Sequence, residues 1–166
     1  MKVRHAVGTD LDAIRSLHIE SWQRTYRGML PDAYLEGSLE KDLSGYWRED
    51  RLQDQICCVA HSDGVVGFAI LSPLGPETPH VASVHVARDV QGKGIARALF
   101  RFLASELRDQ GRDGLCLEVL EGNTRAREAY SALGGREGVP VPGDCFGHAV
   151  TDIPIIWDSL DPLLEK

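Results

Sequence analysis

Val84-His85-Val86-Ala87-Arg88-Asp89-Val90-Gln91-Gly92-Lys93-Gly94-Ile95-Ala96-Arg97-Ala98-Leu99 joins three local patterns in one run. Its β-branched opening predicts a strand, Gly92 and Gly94 predict a turn, and the apolar spacing that follows predicts a helix. The first N–H groups of a helix have no partners within it, and the positive end of the helix dipole lies at the same place. A helix start reached through a glycine turn is therefore an anion site, and a phosphate-bearing cofactor is expected on it.

Outward from this stretch, Gln55 to His61 and Val65 to Leu71 read as two strands around Asp63-Gly64, the dipeptide of a type I′ hairpin. After the Pro-rich loop Ser72 to Pro79, the next strand runs from about His80 to Val86. The helix from Gly92 to about Arg108 buries Ile95, Leu99, Phe102, Leu103 and Leu107 on one side, and Gln110-Gly111 stops it. Leu115 to Leu120 is a strand whose odd-numbered members are all apolar, parallel to the previous one if the helix is a crossover. Asn123-Thr124 starts a helix to about Leu133 that Gly134-Gly135 ends.

Toward the ends of the chain, Val3 to Val7 reads as a first strand. Thr9 caps a helix to about Arg24 with Leu11, Ile14, Leu17 and Ile19 on its apolar face. Short helices are expected at Asp32 to Leu35 and from about Leu39 to Leu52. Two further strands, Arg136 to Val139 and Phe146 to Trp157, close the chain, with Pro154 implying a bulge or an unpaired N–H. The order gives an α/β chain, one domain over residues 1–166, with a mixed sheet carrying helices on both faces.

Composition excludes several classes. The 166 residues, 43% of them hydrophobic, suffice for one domain with a sizeable core. A net charge of −7 and the lack of a basic run argue against nucleic acid as a partner and suit a cationic small substrate better. Neither a signal core nor an apolar run of about eighteen residues is present, so a cytoplasmic protein with no membrane partner is expected. The four cysteines show no CxxC spacing, which favours free thiols over disulfides or a metal site.

The glycine turn fails two common phosphate patterns. A nucleoside-triphosphate loop needs G-x-x-x-x-G-K, and a dinucleotide fingerprint needs a third glycine where Arg97 stands. What remains is Gln91-x-x-Gly94-x-Ala96, which resembles the acetyl-CoA-binding segment of the GCN5-related N-acetyltransferase superfamily. Asn123-Thr124-Arg125-Ala126-Arg127-Glu128-Ala129-Tyr130-Ser131-Ala132-Leu133-Gly134 is similar to the family's next strand–helix signature, and the run from Ser21 to Asp32 looks like one branch of it. Two departures stand out: Gly135 replaces the usual aromatic after Leu-Gly, and Ala129 is smaller than the usual residue before the tyrosine.

The resemblance implies a mostly antiparallel sheet of six or seven strands with splayed central parallel strands, and acetyl-CoA as cofactor. It implies that the pyrophosphate lies on the backbone of Gln91, Gly92, Lys93, Gly94, Ile95, Ala96 and Arg97, with Lys93 and Arg97 either adding charge or simply solvated. The pantetheine arm would lie along the strand residues Val84, His85 and Val86, through the backbone of Val84 and Val86, with Asn123, Arg127 and Tyr130 completing the site. Acetyl transfer needs a base for the amine and an acid for the thiol. Tyr130 matches the family's acid. Glu118 is the first candidate for the base, similar in position to the glutamate of ribosomal-protein alanine acetyltransferases, and His80 and His85 compete with it. His85 has the wrong strand parity unless a bulge intervenes. Trp22, Tyr26 and Arg27 lie where the family builds its acceptor wall, as an aromatic cage for a cation or, through Arg27, as a clamp for a carboxylate. The expected reaction is direct acetylation of a small-molecule or peptide amine, the alternative a catalytically silent acyl-CoA-binding module. Family analogy also implies a homodimer through Ile153 to Trp157.

Overall fold

Cys57–His61 and Val65–Leu71 are buried on both faces, and successive side chains go to two different cores on which the rest of the chain packs. The computed structural model describes residues 1–165. Its elements are β1 (Lys2–His5), α1 (Leu11–Thr25), α2 (Asp32–Glu36), α3 (Leu39–Tyr46), α4 (Glu49–Asp54), β2 (Cys57–His61), β3 (Val65–Leu71) and β4 (Val81–Val86), followed by α5 (Ile95–Asp109), β5 (Leu115–Leu120), α6 (Thr124–Ala132), β6 (Arg136–Glu137), β7 (Val141–Cys145), β8 (His148–Trp157) and α7 (Asp161–Leu164). Strands β1-β2-β3-β4 form one antiparallel sheet; β8 lies between β5 on one side and β6 and β7 on the other. The α5 face buries Leu99, Phe100, Leu103 and Leu107 against Cys58, Ala69 and Leu71, while the α1 face buries Ile14 and Leu17 against Val59, Phe68 and Ile70.

Eight strands replace the six or seven expected. The extra one is β7, paired with β8 through a two-residue turn, Phe146-Gly147, in which both residues have positive φ (48° and 86°). This is the type I′ pattern. It was expected at Asp63-Gly64, but only Gly64 has positive φ there, and the β2–β3 register shifts at His61. Thr9 is not the helix cap: the Asp10 carboxylate accepts the Val7 N–H at 2.9 Å and both Arg4 guanidinium N–H groups at 2.7 and 3.0 Å. The single helix expected from Leu39 to Leu52 is two, because Trp47 turns inward and is 1% exposed. On α5 it is Phe100 that is fully buried; Phe102 is only partly so and meets the His5 ring edge-on at 4.9 Å. Ile153, Ile155 and Trp157 are buried; β5 pairs along one side of this segment, and β6 pairs with Ile155 and Ile156 on the other. Pro154 sits there without a bulge. Its carbonyl accepts the Gly138 N–H at 2.7 Å, so its donorless nitrogen faces the same gap between β6 and β7.

Between α1 and β4 lies a buried polar cluster. The Trp47 indole donates to His18 Nδ1 at 2.9 Å, which puts the neutral ring's proton on Nε2, facing Ser83 Oγ at 3.3 Å. His85 Nδ1 and Ser21 Oγ are 2.7 Å apart, and the two imidazole centroids are 4.7 Å apart. Burial holds both rings well below the usual histidine range, His85 at about 3. An unfolded histidine titrates near 6.5, so above that pH neither ring makes stability depend on pH. As pH falls below it the unfolded chain takes up protons that the fold refuses, and stability is lost progressively toward pH 3.

Two measurements test this packing. Replacing His85 by Gln should flatten the fall in unfolding free energy between pH 6.5 and 4 by up to about 1.4 kcal/mol per pH unit, one proton's worth; an unchanged slope would contradict it. A Cβ on Gly135 would lie 2.6 Å from Ile155 and 2.8 Å from the Trp157 ring, so the indole occupies the space the missing side chain leaves. Gly135→Ala should therefore lower Tm by roughly 3–10 °C, and an unaltered Tm would refute that contact.

Candidate active site

The two sheets meet at one parallel bridge, His80 to Cys116, where the Cys116 N–H donates to the Pro79 carbonyl at 2.9 Å. Beyond it β4 pairs only with β3, and β5 only with β8, so a wedge opens between them toward Val86 and Leu120. Ala87 donates to Val66 at 2.9 Å, which fixes the alternation: the backbone of His85 faces β3, and that of Val84 and Val86 faces the wedge. The Val86 carbonyl there accepts from the Gln91 side chain at 3.1 Å. A bulge supplies the parity that His85 needed. Leu71 pairs with Val81 but Ile70 with Ser83, so one extra residue, Ala82, shifts the strand and puts His80, Ser83 and His85 on one face.

At the open end of the wedge the chain makes a 3-10 turn, Arg88–Val90, and then the glycine turn. Gly92 and Gly94 both have φ +78°, and nothing lies within 4 Å of where a Cβ would be. Backbone conformation, rather than crowding, demands glycine at both. Gly94 is the N-cap of α5, and the first N–H to close a helical bond is that of Ala98, at 3.0 Å to Gly94. The N–H groups of Ile95, Ala96 and Arg97 are left for a ligand. Lys93 is exposed, and Arg97 makes only a 3.4 Å contact to the Ala132 carbonyl.

At the vertex, Glu118 and His80 are hydrogen-bonded through Nε2, and His80 Nδ1 is 3.0 Å from Ser72 Oγ. Both are partly exposed. Its bond to His80 holds the Glu118 carboxyl below the usual range against an opposing effect of burial. The two base candidates are thus one pair. His85 is not part of it, being bonded to Ser21 on the α1 side. Asn123 caps α6, accepting the Ala126 N–H at 3.3 Å. Tyr130 lies on α6 with its ring edge-on to Phe100 (5.7 Å) and Trp157 (6.3 Å), and burial pushes its phenol up to about 12. Arg127, expected at the cofactor, grips Glu137 at 2.8 and 3.0 Å and donates to the Glu121 carbonyl at 2.8 Å.

Trp22 and Tyr26 form an edge-on pair at 4.9 Å, joined by Phe146 at 5.8 Å from Trp22. Burial raises the Tyr26 phenol, and the nearby Tyr130, Cys145 and Asp152 raise it further, so α1, α6 and the β7–β8 hairpin converge there. Arg27 is neutralised by Glu36 at 2.8 Å and Asp32 at 3.4 Å, which removes it as a ready carboxylate clamp. A cavity of about 670 Å³ lies between Gly28–Asp32 and Gly147–Ala149. Sequence reading missed His18 and Ser21, although 14, 17, 18 and 21 form the inward stripe of α1 and their polar atoms had to pair inside. It also missed Ser72 and Asp152; the half-buried Asp152 is raised by burial and then by Glu118.

A model of the acetyltransferase (GNAT) family matches residues 11–134. YuaI of Bacillus subtilis, named an uncharacterized N-acetyltransferase, is 26% identical over 125 residues, 73% of this chain and 72% of that protein. A ribosomal-protein-alanine N-acetyltransferase from Brucella melitensis superposes with a TM-score of 0.70 at 25% identity, covering 95% of this chain and 99% of that one. Similar in fold is yncA from Salmonella typhimurium, solved with its cofactor acetyl-CoA: TM-score 0.70, 23% identity, 100% and 95% covered. With three quarters of its length matched by one family model, this wedge-bearing chain belongs to the acetyltransferase (GNAT) family.

Proposed function

We propose that the chain transfers an acetyl group from acetyl-CoA to a primary amine of a small molecule or peptide, directly, with both substrates bound. One observation carries the reading: an unpaired backbone edge runs from the glycine turn to the Glu118–His80 pair. The residues present fit the cofactor. Free N–H groups at Ile95, Ala96 and Arg97 suit a pyrophosphate, and the wedge-facing backbone of Val84 and Val86 suits the amides of a pantetheine arm.

When bound, acetyl-CoA supplies a thioester whose carbonyl carbon the amine nitrogen attacks as the carbon–sulfur bond breaks. An ordinary lysine-like amine titrates near 10.4, so a base must take its proton at neutral pH. Glu118, kept ionised by His80, receives it, and Ser72 fixes the His80 ring. Tyr130, protonated at neutral pH, donates a hydrogen bond to the departing sulfur. A phenol near 12 is a weaker acid than a thiol near 8.5, so Tyr130 stabilises the developing charge while the proton finally on sulfur comes from solvent. Asn123 stands at the α6 cap beside the wedge. His85 has no part in the transfer; it supports β4 from beneath.

The acceptor enters past Trp22 and Tyr26 and the cavity beside Met29. The reading includes a cytoplasmic location and, by family analogy, a homodimer through Ile153 to Trp157.

Acetyl-CoA incubated with a broad amine panel should release free CoA at an amine-dependent rate. Cofactor binding without any turnover would leave only a binding module. Glu118→Gln should lower kcat about 100-fold or more with acetyl-CoA affinity unchanged, and wild-type turnover would remove the base. Gly94→Val forces a β-branched residue into a left-handed conformation costing ~1–2 kcal/mol, so acetyl-CoA should bind about tenfold more weakly; an equal dissociation constant would refute the turn's assignment.

A further inference from the structure

The wedge and the acceptor cavity leave the basic end of α1 unexplained. Glu20, Gln23 and Arg24 near the end of α1, with Arg27 just past it and Arg88, line a second cavity of about 330 Å³. Arg27 is already neutralised by Glu36 and Asp32. Arg24 is not: it reaches Glu20 only at 3.5 Å, and its Nη2 is buried with no hydrogen-bond partner. Arg88 is exposed and makes no side-chain ion pair among the described residues. A buried guanidinium N–H without an acceptor is an uncompensated loss of hydration, and its presence beside an open cavity asks for a ligand.

The place of this cavity in the fold is fixed by contacts. His18 meets Ser83 and Ser21 meets His85, so α1 follows β4 in the same direction, and its next turn brings Arg24 to Arg88, where the strand leads into the glycine turn. In a chain of net charge −7, two guanidiniums lacking full counter-charges at the mouth of the site are a local reversal of sign. Guanidinium forks match the paired oxygens of a carboxylate or phosphate, whereas a cationic group would be repelled.

We propose that Arg24 and Arg88 form an oxyanion subsite that binds a carboxylate or phosphate group carried by one of the two substrates, displacing Arg24 from its loose contact with Glu20. The inference rests on the acetyltransferase reading for its ligands. Two sources offer the chemistry: the 3′-phosphate of the cofactor, or an acidic group on the acceptor.

Calorimetry separates them, using wild type, Arg88→Ala and Arg24→Gln. One arm compares CoA with dephospho-CoA; the other titrates CoA-loaded protein with α-amino acids and with the amines left by their decarboxylation. If the cofactor is the source, wild type binds CoA at least tenfold tighter than dephospho-CoA, and Arg88→Ala brings the ratio near one. If the acceptor is the source, the carboxylated partner binds at least tenfold tighter, and the same variant abolishes that preference. Variants that keep the wild-type Tm and leave both ratios unchanged overturn the subsite. Both arms read binding, so an absence of turnover on every amine would count against acetyl transfer without deciding the fate of the subsite.

Discussion

A strand in the middle of a sheet normally has partners on both edges, because a buried backbone N–H or C=O left unpaired costs as much as a lost hydrogen bond. Here β4 breaks that rule over most of its length. Past the single bridge between His80 and Cys116, the edge formed by Val84 and Val86 has no strand beside it. The other parts of the site follow from that edge. The glycine turn starts at its open end, the Glu118–His80 pair closes its vertex, and α6 holds Tyr130 alongside, anchored by the Gly135 N–H on the Tyr130 carbonyl and by the Trp157 indole on that of Leu133. An extended chain bearing amides is the natural occupant of such an edge.

The bulge at Ala82 turns this edge into a site with two different faces. It leaves Val84 and Val86 packed toward α5 while Ser83 and His85 face α1. The polar cluster beneath, with two neutral imidazoles tilted 43° to one another and two serines, pins α1 against β4 by directional bonds in place of plain apolar packing. That pinning sets where the end of α1 lies, and so where Trp22, Tyr26 and Arg24 stand relative to the wedge. The cluster's cost appears at low pH, where burial forbids the charge that free imidazole would take.

Much of the cofactor half was legible because it depends on local rules: two glycines needing positive φ, a helix start with free donors, an apolar stripe along α5 and alternation along β5 from Leu115 to Val119. Glu118 and His80 were each visible as candidates, but their union was not, since it needs the register of two strands 38 residues apart. The bulge has no local signature at Ala82, so the parity of His85 could only be posed as a condition. The break after Tyr46 arises from the burial of Trp47 against His18, a tertiary contact that overrides helix propensity. Strand β7 escaped notice because Val141-Pro142-Gly143-Asp144 reads as a turn, and only pairing with β8 makes it extended. The ion pair of Arg127 was not legible because its partner, Glu137, comes from the next strand.

The free edge of β4 is the proposed seat of the cofactor's extended arm. Amide hydrogen exchange, followed residue by residue by NMR with and without acetyl-CoA, tests it most directly. The cofactor should slow exchange at Val84 and Val86 and at Ile95, Ala96 and Arg97 by at least about tenfold, and leave His85, already bonded to β3, unchanged. Unaltered exchange at Val84 and Val86 under saturating acetyl-CoA would contradict it.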